Sequence, residues 1–474
     1  MLQRLPSPSE IRQNPRRLPN IVSKSLATAR ELGTLGAFLT LLDERALQSS
    51  VEVSEKLANG EHLPLGGFIV AVKDNISVKG VPLTCGSRIL GKHLSTFSAT
   101  AIERLEAAGA VVLAKTNLDE FAMGSSNENS AFGPVSNPFD PSRVPGGSSG
   151  GSAVAVSAGI CHVSLGSETG GSVRQPASFC GICGLKPTYG RVSRYGLVAF
   201  GSSLDQISPF ARNCSDLYDV FRVIAGADPR DATTKNTDVP ITKELSETKR
   251  KLRIGVIRDF VEHDALELEV VSSLRDCISR LTANGHEIIE LQLPSLGYSI
   301  PVYYIVAPAE ASSNLARFDG VRYGYRHPEA TDLASVYDLT RECGFGAEVR
   351  RRIMLGTYVL SSGFYDSYYM TALRVRAKIA KELSHALQSV DVLLTPTTPT
   401  TAFYQGEKLD DPLSMYLSDI FTVPASLAGI PAVSVPWSKD GKGLPIGIQL
   451  MANYFCEELL LSTGKLIESI RPKQ

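Results

Sequence analysis

Short apolar runs alternate along this chain with stretches in which apolar residues recur at helical spacing. Residues 67–72 form an apolar run of strand length, and residues 100–109 follow as an amphipathic helix that ends at Gly109. Residues 110–114 form the next apolar run. The same patterns later predict a helix over 265–284 and strands over 252–257, 287–291, 391–394, 432–435 and 446–450. This alternation predicts an α/β fold with a large, mixed but mostly parallel central sheet, covered by helices on both faces.

The composition is typical of a large soluble enzyme. The 474 residues are 43% hydrophobic and 20% charged, which allows a sizeable buried core. The formal net charge of −1 gives no global electrostatic footprint for nucleic acid. No apolar run approaches the ~18 residues of a membrane span, so no membrane association is expected. We predict an N-terminal helical segment over 1–60, which carries no recognisable motif, followed by one large domain over 61–470.

The eight cysteines are scattered along the chain, which indicates reduced thiols in a cytosol-like compartment. Cys180 and Cys183 match Cys-x-x-Cys, but no second pair follows at zinc spacing, so we expect core packing and no metal site. The N-terminus lacks the apolar segment of a secretory signal. Its four arginines suit an organellar transit peptide, but the four prolines among them interrupt an amphipathic helix. The predicted location is the cytoplasm, with an organellar matrix as the alternative.

Two serines framed by glycines and one lysine are the candidates for chemistry. Ser148 lies within Gly-Gly-Ser-Ser-Gly-Gly-Ser, and Ser172 follows two glycines in Glu-Thr-Gly-Gly-Ser-Val-Arg. Lys73 directly follows the predicted buried strand 67–72. Glycine is used where the backbone takes unusual dihedral angles or approaches another group closely. Because burial lowers a lysine pKa, Lys73 could take the proton of a serine nucleophile. These residues predict an acyl-transfer site that works without histidine.

The backbone around the second serine could supply the other component of such a site. Thr169, Gly170, Gly171 and Ser172 can point successive N–H groups at one spot, as an oxyanion hole requires. Loss of one such donor typically raises the barrier by about 2.7–4 kcal/mol. These four residues are therefore the predicted oxyanion hole.

Each of these segments also has a simpler interpretation. The glycine–serine run alone is typical of a flexible linker, yet the apolar residues 153–158 that follow favour an ordered loop opening a helix. The same run matches the Gly-x-Ser-x-Gly elbow of hydrolases that use a Ser–Asp/Glu–His triad. That elbow needs a strand directly before the turn, whereas residues 137–145 have the composition of a loop. That triad also needs a catalytic histidine, and none of the later histidines lies in a distinctive motif. For Lys73, the simpler interpretation is a solvated lysine at the end of a strand.

Together, these segments resemble the core of the amidase signature family. Residues 146–152 and 166–177 carry the likeness, and their spacing from the lysine agrees with the family pattern. The resemblance implies the amidase signature fold and amide hydrolysis through an acyl-enzyme. It also implies a Ser–cisSer–Lys triad. In this triad Ser172 is the nucleophile, Ser148 is the bridging serine on a cis peptide bond, and Lys73 is the base. One departure is Glu168, where the family more often has Asp.

Later segments narrow the resemblance within that family. Residues 115–126, 310–324 and 351–358 are similar to the glutaminase subunits of tRNA-dependent amidotransferases. This likeness implies that glutamine is hydrolysed here and that a partner B subunit uses the ammonia, with ATP and Mg²⁺, to convert Glu-tRNA(Gln) to Gln-tRNA(Gln). A small C subunit would hold the heterotrimer together. No cofactor is expected on this chain, which lacks a phosphate loop and a basic stripe, and tRNA would be contacted mainly through the B subunit.

A free amino acid needs a cation for its carboxylate and an anion for its ammonium group. The family pattern implies Arg352 and Asp419 for these contacts, with Tyr303 lining the pocket. Arginine offers a carboxylate a planar fork of donors. Two further arginines precede Arg352 and Tyr304 follows Tyr303, so the sequence leaves both choices open. Two rival functions also remain: a stand-alone amidase acting on another small carboxylic amide, and a non-catalytic scaffold.

Overall fold

The structure, a computed structural model that describes residues 5–239, 244–246, 248 and 250–472, is built around one eleven-stranded sheet. In chain order the strands are β1 Phe38–Leu41, β2 Ile69–Lys73, β3 Val111–Thr116, β4 Val163–Glu168, β5 Cys183–Lys186, β6 Gln206–Ala211, β7 Arg253–Ile257, β8 Glu287–Leu291, β9 Val392–Pro396, β10 Ala432–Lys439 and β11 Pro445–Met451. Across the sheet they lie in the order β1-β3-β2-β4-β6-β5-β10-β11-β9-β7-β8. The strand that carries Lys73 therefore lies inside the sheet, between β3 and β4.

Sixteen α-helices accompany the sheet within the described ranges. They are α1 Pro8–Gln13, α2 Leu18–Glu31, α3 Asp43–Ala58, α4 Thr100–Ala107, α5 Gly150–Ser157, α6 Arg174–Phe179, α7 Cys214–Ile224, α8 Arg258–Val261, α9 Leu268–Ala283, α10 Ser299–Asn314, α11 Leu333–Gly344, α12 Ala347–Leu360, α13 Thr371–Ser389, α14 Pro412–Leu417, α15 Val423–Ala428 and α16 Glu457–Ile470. Shorter helical segments are Pro15–Arg17, Gly33–Leu35, Arg88–Leu90, Glu120–Ala122, Pro294–Tyr298, Leu315–Arg317 and the π-helix Tyr365–Met370. Helices α5 and α6 begin two residues after Ser148 and Ser172, respectively.

The sheet is mixed, as predicted, but the prediction that it is mostly parallel was wrong. Among the described strands, four pairings are parallel and join β2 to β3 and β4, and β7 to β8 and β9. The other six pairings are antiparallel. The reason is clear at β10 and β11, which follow each other through a short turn and pair as a hairpin. A turn of that length cannot return the chain for parallel pairing, and apolar runs do not reveal strand direction.

Both faces of the sheet are covered, as predicted. In β2, Val70 and Val72 point into one hydrophobic core, whereas Ile69 and Ala71 point into another. Successive side chains of a strand face opposite sides of the sheet, so the two cores lie on opposite faces. The second core also contains the apolar residues of α5. By the same alternation, Lys73 faces the side of the sheet on which α5 packs.

The predicted element positions are confirmed to within a few residues. The apolar run at 67–72 corresponds to β2, and the predicted helix over 100–109 corresponds to α4. That helix ends at Ala107, and Gly109 follows with φ of +90°, a left-handed conformation that favours glycine. The strand predicted over 287–291 matches β8. Hydrophobic periodicity therefore predicts where strands and helices lie along the chain, although it does not predict the direction of the strands in the sheet.

The described part of the N-terminal segment contains three α-helices and contributes one strand to the sheet. It contains α1, α2 and α3, and between the last two lies β1, which pairs with β3 at the edge of the sheet. Ile21 and Val22 of α2 belong to the same hydrophobic core as α5. Residues 1–4 lie outside the described residues. The division of the chain into 1–60 and 61–470 remains a prediction.

Most of the cysteines are buried in the protein interior. All eight are free thiols, and six of them are buried. Cys180 and Cys183 belong to different hydrophobic cores, which agrees with the expected packing role. Across the described part of the chain, no helix is long and apolar enough to cross a membrane.

Candidate active site

Lys73 ends β2 and is fully buried. Its Nζ donates hydrogen bonds to the Oγ atoms of Ser148 and Ser149, both at 2.8 Å, and to the carbonyl oxygen of Ser167 at 3.3 Å. Burial lowers the pKa of Lys73 to about 7, against an opposing effect of the nearby Asp119 carboxylate. Above that pH the amine is mostly neutral and can accept a proton.

Ser148 lies in a loop whose backbone requires glycine. The peptide bond between Gly147 and Ser148 is cis, and Gly146 has φ of +82°. A Cβ on Gly147 would lie 2.1 Å from the Oδ2 of Asp119. The backbone N–H of Asp119 donates to the carbonyl oxygen of Ser148 at 3.2 Å, and α5 begins at Gly150. The glycine–serine run is therefore an ordered, buried loop that opens a helix, and not a flexible linker.

Ser172 lies in the loop between β4 and α6, and Glu168 closes this loop. The Oε2 of Glu168 accepts hydrogen bonds from the backbone N–H groups of Val173 and Arg174, each at 3.1 Å. Its Oε1 accepts from the Nε of Arg174 at 2.7 Å. Arg174 also donates to the carbonyl oxygen of Gly170 at 2.9 Å. Glutamate at this position thus forms a compact turn despite its additional methylene group.

Four successive backbone N–H groups of this loop are available to an oxyanion. Within the described residues, the N–H groups of Thr169, Gly170, Gly171 and Ser172 donate no hydrogen bond to another residue. All four residues are buried, and buried N–H groups without an acceptor are rare in proteins. A Cβ on Gly171 would lie 2.4 Å from the Oδ1 of Asp419, so only glycine fits there. These four residues remain the predicted oxyanion hole.

The structure brings the two candidate serines into adjoining loops without joining their hydroxyls. The backbone N–H of Ser149 donates to the carbonyl oxygen of Ser172 at 3.2 Å. No described residue forms a hydrogen bond with the Ser172 hydroxyl. Ser172 keeps 7% of its surface exposed, whereas Lys73 and Ser148 are fully enclosed. Of the three residues, Ser172 is the one that a substrate can reach, and the assignment of the triad roles remains a prediction.

Tyr303 and Asp419 lie against Gly170 and Gly171. A Cβ on Gly170 would lie 2.9 Å from the Cζ of Tyr303. The Oδ2 of Asp419 accepts a hydrogen bond from the Oγ of Ser125 at 2.6 Å, whereas its buried Oδ1 has no partner among the described residues. Burial raises the pKa of Asp419 to about 7. An ammonium group beside Oδ1 would pair with this carboxylate and keep it ionised.

Of three consecutive arginines in α12, Arg352 is the buried one, whereas Arg350 and Arg351 are exposed. Its Nε donates to the Oε1 of Glu348 at 2.8 Å, and its guanidinium carbon lies 5.4 Å from the ring centre of Tyr304. Within the described residues, its two Nη atoms donate no hydrogen bond to protein. The two Nη atoms form a planar pair of donors that suits a carboxylate, and the role of Arg352 in binding substrate remains a prediction. Tyr304 thus packs against Arg352, whereas Tyr303 packs against Gly170.

Comparison with known proteins identifies the family to which this geometry belongs. The family model described as Amidase matches residues 20–461. This chain belongs to the amidase family. The A subunit of the glutamyl-tRNA(Gln) amidotransferase of Koribacter versatilis is 54% identical over 440 residues, which are 92% of each chain. The corresponding A subunit of Carboxydothermus hydrogenoformans is 54% identical over 434 residues, which cover 91% of this chain and 89% of that one.

Solved structures of amidase family members have the same fold. The crystal structure of the glutamyl-tRNA(Gln) amidotransferase A subunit from Thermotoga maritima has a TM-score of 0.81 at 41% identity, covering 98% of this chain and 95% of that one. A crystal structure described as an amidase has a TM-score of 0.82 at 30% identity, covering 99% and 100%. The family and the fold expected from the motifs are therefore confirmed.

Sequence analysis missed three polar residues of this amidase site. Ser149 accepts a hydrogen bond from the buried lysine, Glu348 holds Arg352, and Ser125 holds Asp419. Glu348 could have been found, because a carboxylate four residues before an arginine on a helix is a common pair. Ser149 lies inside the glycine–serine run but has no feature that separates it from its neighbour. Ser125 and Asp419 are 294 positions apart, and no local pattern connects them.

Proposed function

We propose that this chain is the glutamine-hydrolysing A subunit of a tRNA-dependent amidotransferase, the enzyme class called glutaminyl-tRNA synthase (glutamine-hydrolysing). The names of its relatives support this proposal, and one feature of the site carries it. The Oδ1 of Asp419, which has no partner among the described residues, lies beside Gly171, and although burial raises the pKa of both Asp419 and Tyr303, the positive charge of Arg352 lowers the pKa of each. Asp419 is a buried anion and Arg352 is a buried cation, and each has polar atoms without a hydrogen-bond partner among the described residues. Such a pair suits the two charged ends of a free amino acid.

In the proposed acylation step, the Oγ of Ser172 attacks the side-chain amide carbon of glutamine. Its proton passes through the hydroxyl of Ser148 to the neutral Nζ of Lys73. The amide oxygen becomes negatively charged, and the N–H groups of residues 169–172 stabilise that charge. The proton then returns from Lys73 through Ser148 to the amide nitrogen, which leaves as ammonia.

In the proposed deacylation step, water hydrolyses the ester between Ser172 and the former side chain of glutamine. Lys73 accepts the proton of the water molecule through Ser148, and Ser172 recovers a proton when the ester bond breaks. The products are glutamate and a regenerated enzyme. Each turnover consumes one glutamine and one water and releases one ammonia. No cofactor takes part in these steps on this chain.

The released ammonia would be used by a partner B subunit, which binds ATP and Mg²⁺ and amidates the activated Glu-tRNA(Gln). A C subunit completes the proposed heterotrimer, and tRNA is bound mainly through the B subunit. Because the partner reads the tRNA, the same glutaminase subunit could serve Glu-tRNA(Gln), Asp-tRNA(Asn) or both. The formal net charge of −1 on this chain is consistent with a tRNA-binding surface on the partner. We propose a cytoplasmic location for the complex.

Co-expression tests the proposal against a stand-alone amidase. The chain is purified alone and together with the B and C subunits encoded in the same genome, and ammonia release is measured with glutamine and with a neutral aliphatic amide. We expect the three chains to co-purify and glutamine to be the better substrate in the complex. An isolated chain that prefers the neutral amide and does not bind the other subunits would overturn the proposal.

A further inference from the structure

Three side chains of types that commonly bind metal ions meet on the face of the sheet opposite to Lys73. They are Cys183, Cys214 and Glu468, and one ligand atom from each lies within 4.8 Å of the other two. Cys183 begins β5, Cys214 begins α7, and Glu468 lies near the end of α16. Both cysteines belong to the hydrophobic core on that face. The cluster therefore lies apart from the active site.

Cys183 does not meet the other cysteine of its Cys-x-x-Cys motif. Cys180 packs in the core on the other face of the sheet, where its Sγ donates to the carbonyl oxygen of Pro145 at 3.4 Å. The Sγ of Cys183 instead donates to the Oε1 of Glu468 at 3.3 Å, and the backbone N–H of Cys214 donates to the same oxygen at 3.0 Å. A group assembled from three distant segments leaves no local motif in the sequence.

A glycine of α16 allows this helix to approach the two cysteines. Gly464 precedes Glu468 by four residues, so the two lie on the same face of the helix. A Cβ on Gly464 would lie 2.7 Å from the Sγ of Cys214, which is closer than van der Waals contact permits. A larger residue would push α16 away, and the carboxylate of Glu468 would no longer reach both cysteines.

The spacing of the three ligand atoms fits a tetrahedral zinc ion. Sulphur and oxygen ligands lie ~2.3 and ~2.0 Å from such an ion, which places two sulphurs ~3.8 Å apart and a sulphur and an oxygen ~3.5 Å apart. The distance of 3.3 Å between the Sγ of Cys183 and the Oε1 of Glu468 is close to the second value. Since no separation in the cluster exceeds 4.8 Å, small side-chain rotations are enough to complete the geometry.

We propose that Cys183, Cys214 and Glu468 bind one zinc ion, with water as the fourth ligand. Thiolates favour zinc over the harder cations magnesium and calcium. The ion would replace the two thiol protons, which are released to water. Both cysteines are buried, but Glu468 is only half-buried, so an ion can enter along its carboxylate. Two thiolates and one carboxylate leave the zinc site with one net negative charge, and the positive charge of nearby Arg471, which opposes the effect of burial on the pKa of Glu468, would offset it.

Titration of the full chain with Co²⁺ tests the proposal. The protein is stripped of metal with a chelator, kept reduced, and titrated with Co²⁺, whose bonds to thiolates give charge-transfer absorption in the near ultraviolet. We expect this absorption to saturate at one Co²⁺ per chain and to disappear when Zn²⁺ is added, because tetrahedral thiolate sites favour zinc. Zn²⁺ alone should raise the unfolding temperature with concentration, because the three ligands meet only in the folded protein.

Variants separate this cluster from accidental binding by an exposed thiol. Glu468→Gln changes a half-buried residue and keeps its size, so the variant should fold, yet it should bind Co²⁺ about tenfold more weakly or worse. Cys214→Ser removes one of the two thiolates and should weaken binding further. Cys343→Ser is the matched control, since it removes an exposed free thiol outside the cluster and should change neither the absorption nor the affinity.

Three results would overturn the proposal. The first is a wild-type protein that shows no thiolate-to-cobalt absorption. The second is absorption that Cys343→Ser removes, because the metal would then bind at the surface. The third is equal affinity for Co²⁺ in the wild type and in Glu468→Gln, because the carboxylate would then not be a ligand.

Discussion

Glu348 accepts a hydrogen bond from the Nε of Arg352 at 2.8 Å, across one turn of α12. Its other carboxylate oxygen pairs with Arg351 at the surface. The contact fixes the guanidinium by its Nε edge and leaves the two Nη atoms free. A rigid fork loses less entropy when it binds a carboxylate than a mobile one does. Glu348 is therefore a positioning residue for the proposed glutamine contact.

Replacement of Glu348 should impair glutamine binding more than turnover. We expect Glu348→Ala to raise KM for glutamine by about tenfold, because Arg352 loses a charge-assisted hydrogen bond, while kcat changes less. Glu348→Gln keeps an acceptor and should recover part of the loss. Arg351→Gln is the matched control, since it removes the surface partner of Glu348 and should leave KM unchanged. Steady-state kinetics on the three variants measures these effects, and a fall in kcat with unchanged KM would contradict the positioning role.

The accessible hydroxyl of Ser172 should be the nucleophile. We expect Ser172→Ala to abolish glutamine hydrolysis without lowering the unfolding temperature, because the lost hydroxyl makes no hydrogen bond to the described residues. A glutamine analogue that acylates serine should add its mass to the peptide containing Ser172 in the wild-type protein. Mass spectrometry of the digested protein locates the adduct. An adduct on Ser148 instead would reverse the two serine assignments.

The neutral form of Lys73 should set the lower pH limit of activity. Burial lowers its pKa to about 7, so the amine becomes protonated and unable to accept a proton as the pH falls through that value. For a neutral amide substrate, kcat/KM should be level above that pH and should fall about tenfold per pH unit below it. Lys73→Arg should be as inactive as Lys73→Ala at every pH, because a guanidinium stays charged. Substantial activity in Lys73→Arg would show that Lys73 serves only as a structural charge and not as a base.

The parts of the site that could be predicted from sequence are those with a local signature. Ser172 and Ser148 are framed by glycines that the backbone requires, and Lys73 ends an apolar run that became a buried strand. The positions of strands and helices follow from hydrophobic periodicity in the same way. These signals lie within a few residues of one another, so one segment of sequence is enough to show them.

Other features depend on contacts that no segment contains. The hairpin of β10 and β11 made the sheet less parallel than predicted, because strand direction depends on connections and not on apolar runs. The hydrogen bond from Ser125 to Asp419 joins residues 294 positions apart. The choice among three adjacent arginines depends on which side of α12 is buried, and only the packed structure places Arg352 inward. These residues meet only in the folded protein, so a local sequence pattern cannot reveal their contacts.

Arg352 and Asp419 should discriminate glutamine from amides that lack charged ends. Asp419→Asn keeps the shape of the side chain but removes the charge, so the substrate ammonium would lie in a buried pocket without a counter-charge. An unpaired buried charge costs several kcal/mol, so kcat/KM for glutamine should fall by about two orders of magnitude or more. Arg352→Lys should also perform poorly, because an ammonium group cannot reproduce the planar fork. A neutral aliphatic amide never uses these contacts, and both variants should hydrolyse it nearly as well as the wild type does.

The pH dependence separates this clamp from a role in stabilising the fold. Burial raises the pKa of Asp419 to about 7, so its carboxylate is lost over the same range in which Lys73 becomes protonated. In the wild type, kcat/KM for glutamine should therefore fall more steeply below pH 7 than kcat/KM for the neutral amide, which depends on Lys73 alone. In Asp419→Asn the two profiles should have the same slope, because only one titrating group remains. Parallel profiles in the wild type, or equal losses on both substrates in the variants, would show that these residues support the fold and do not select glutamine.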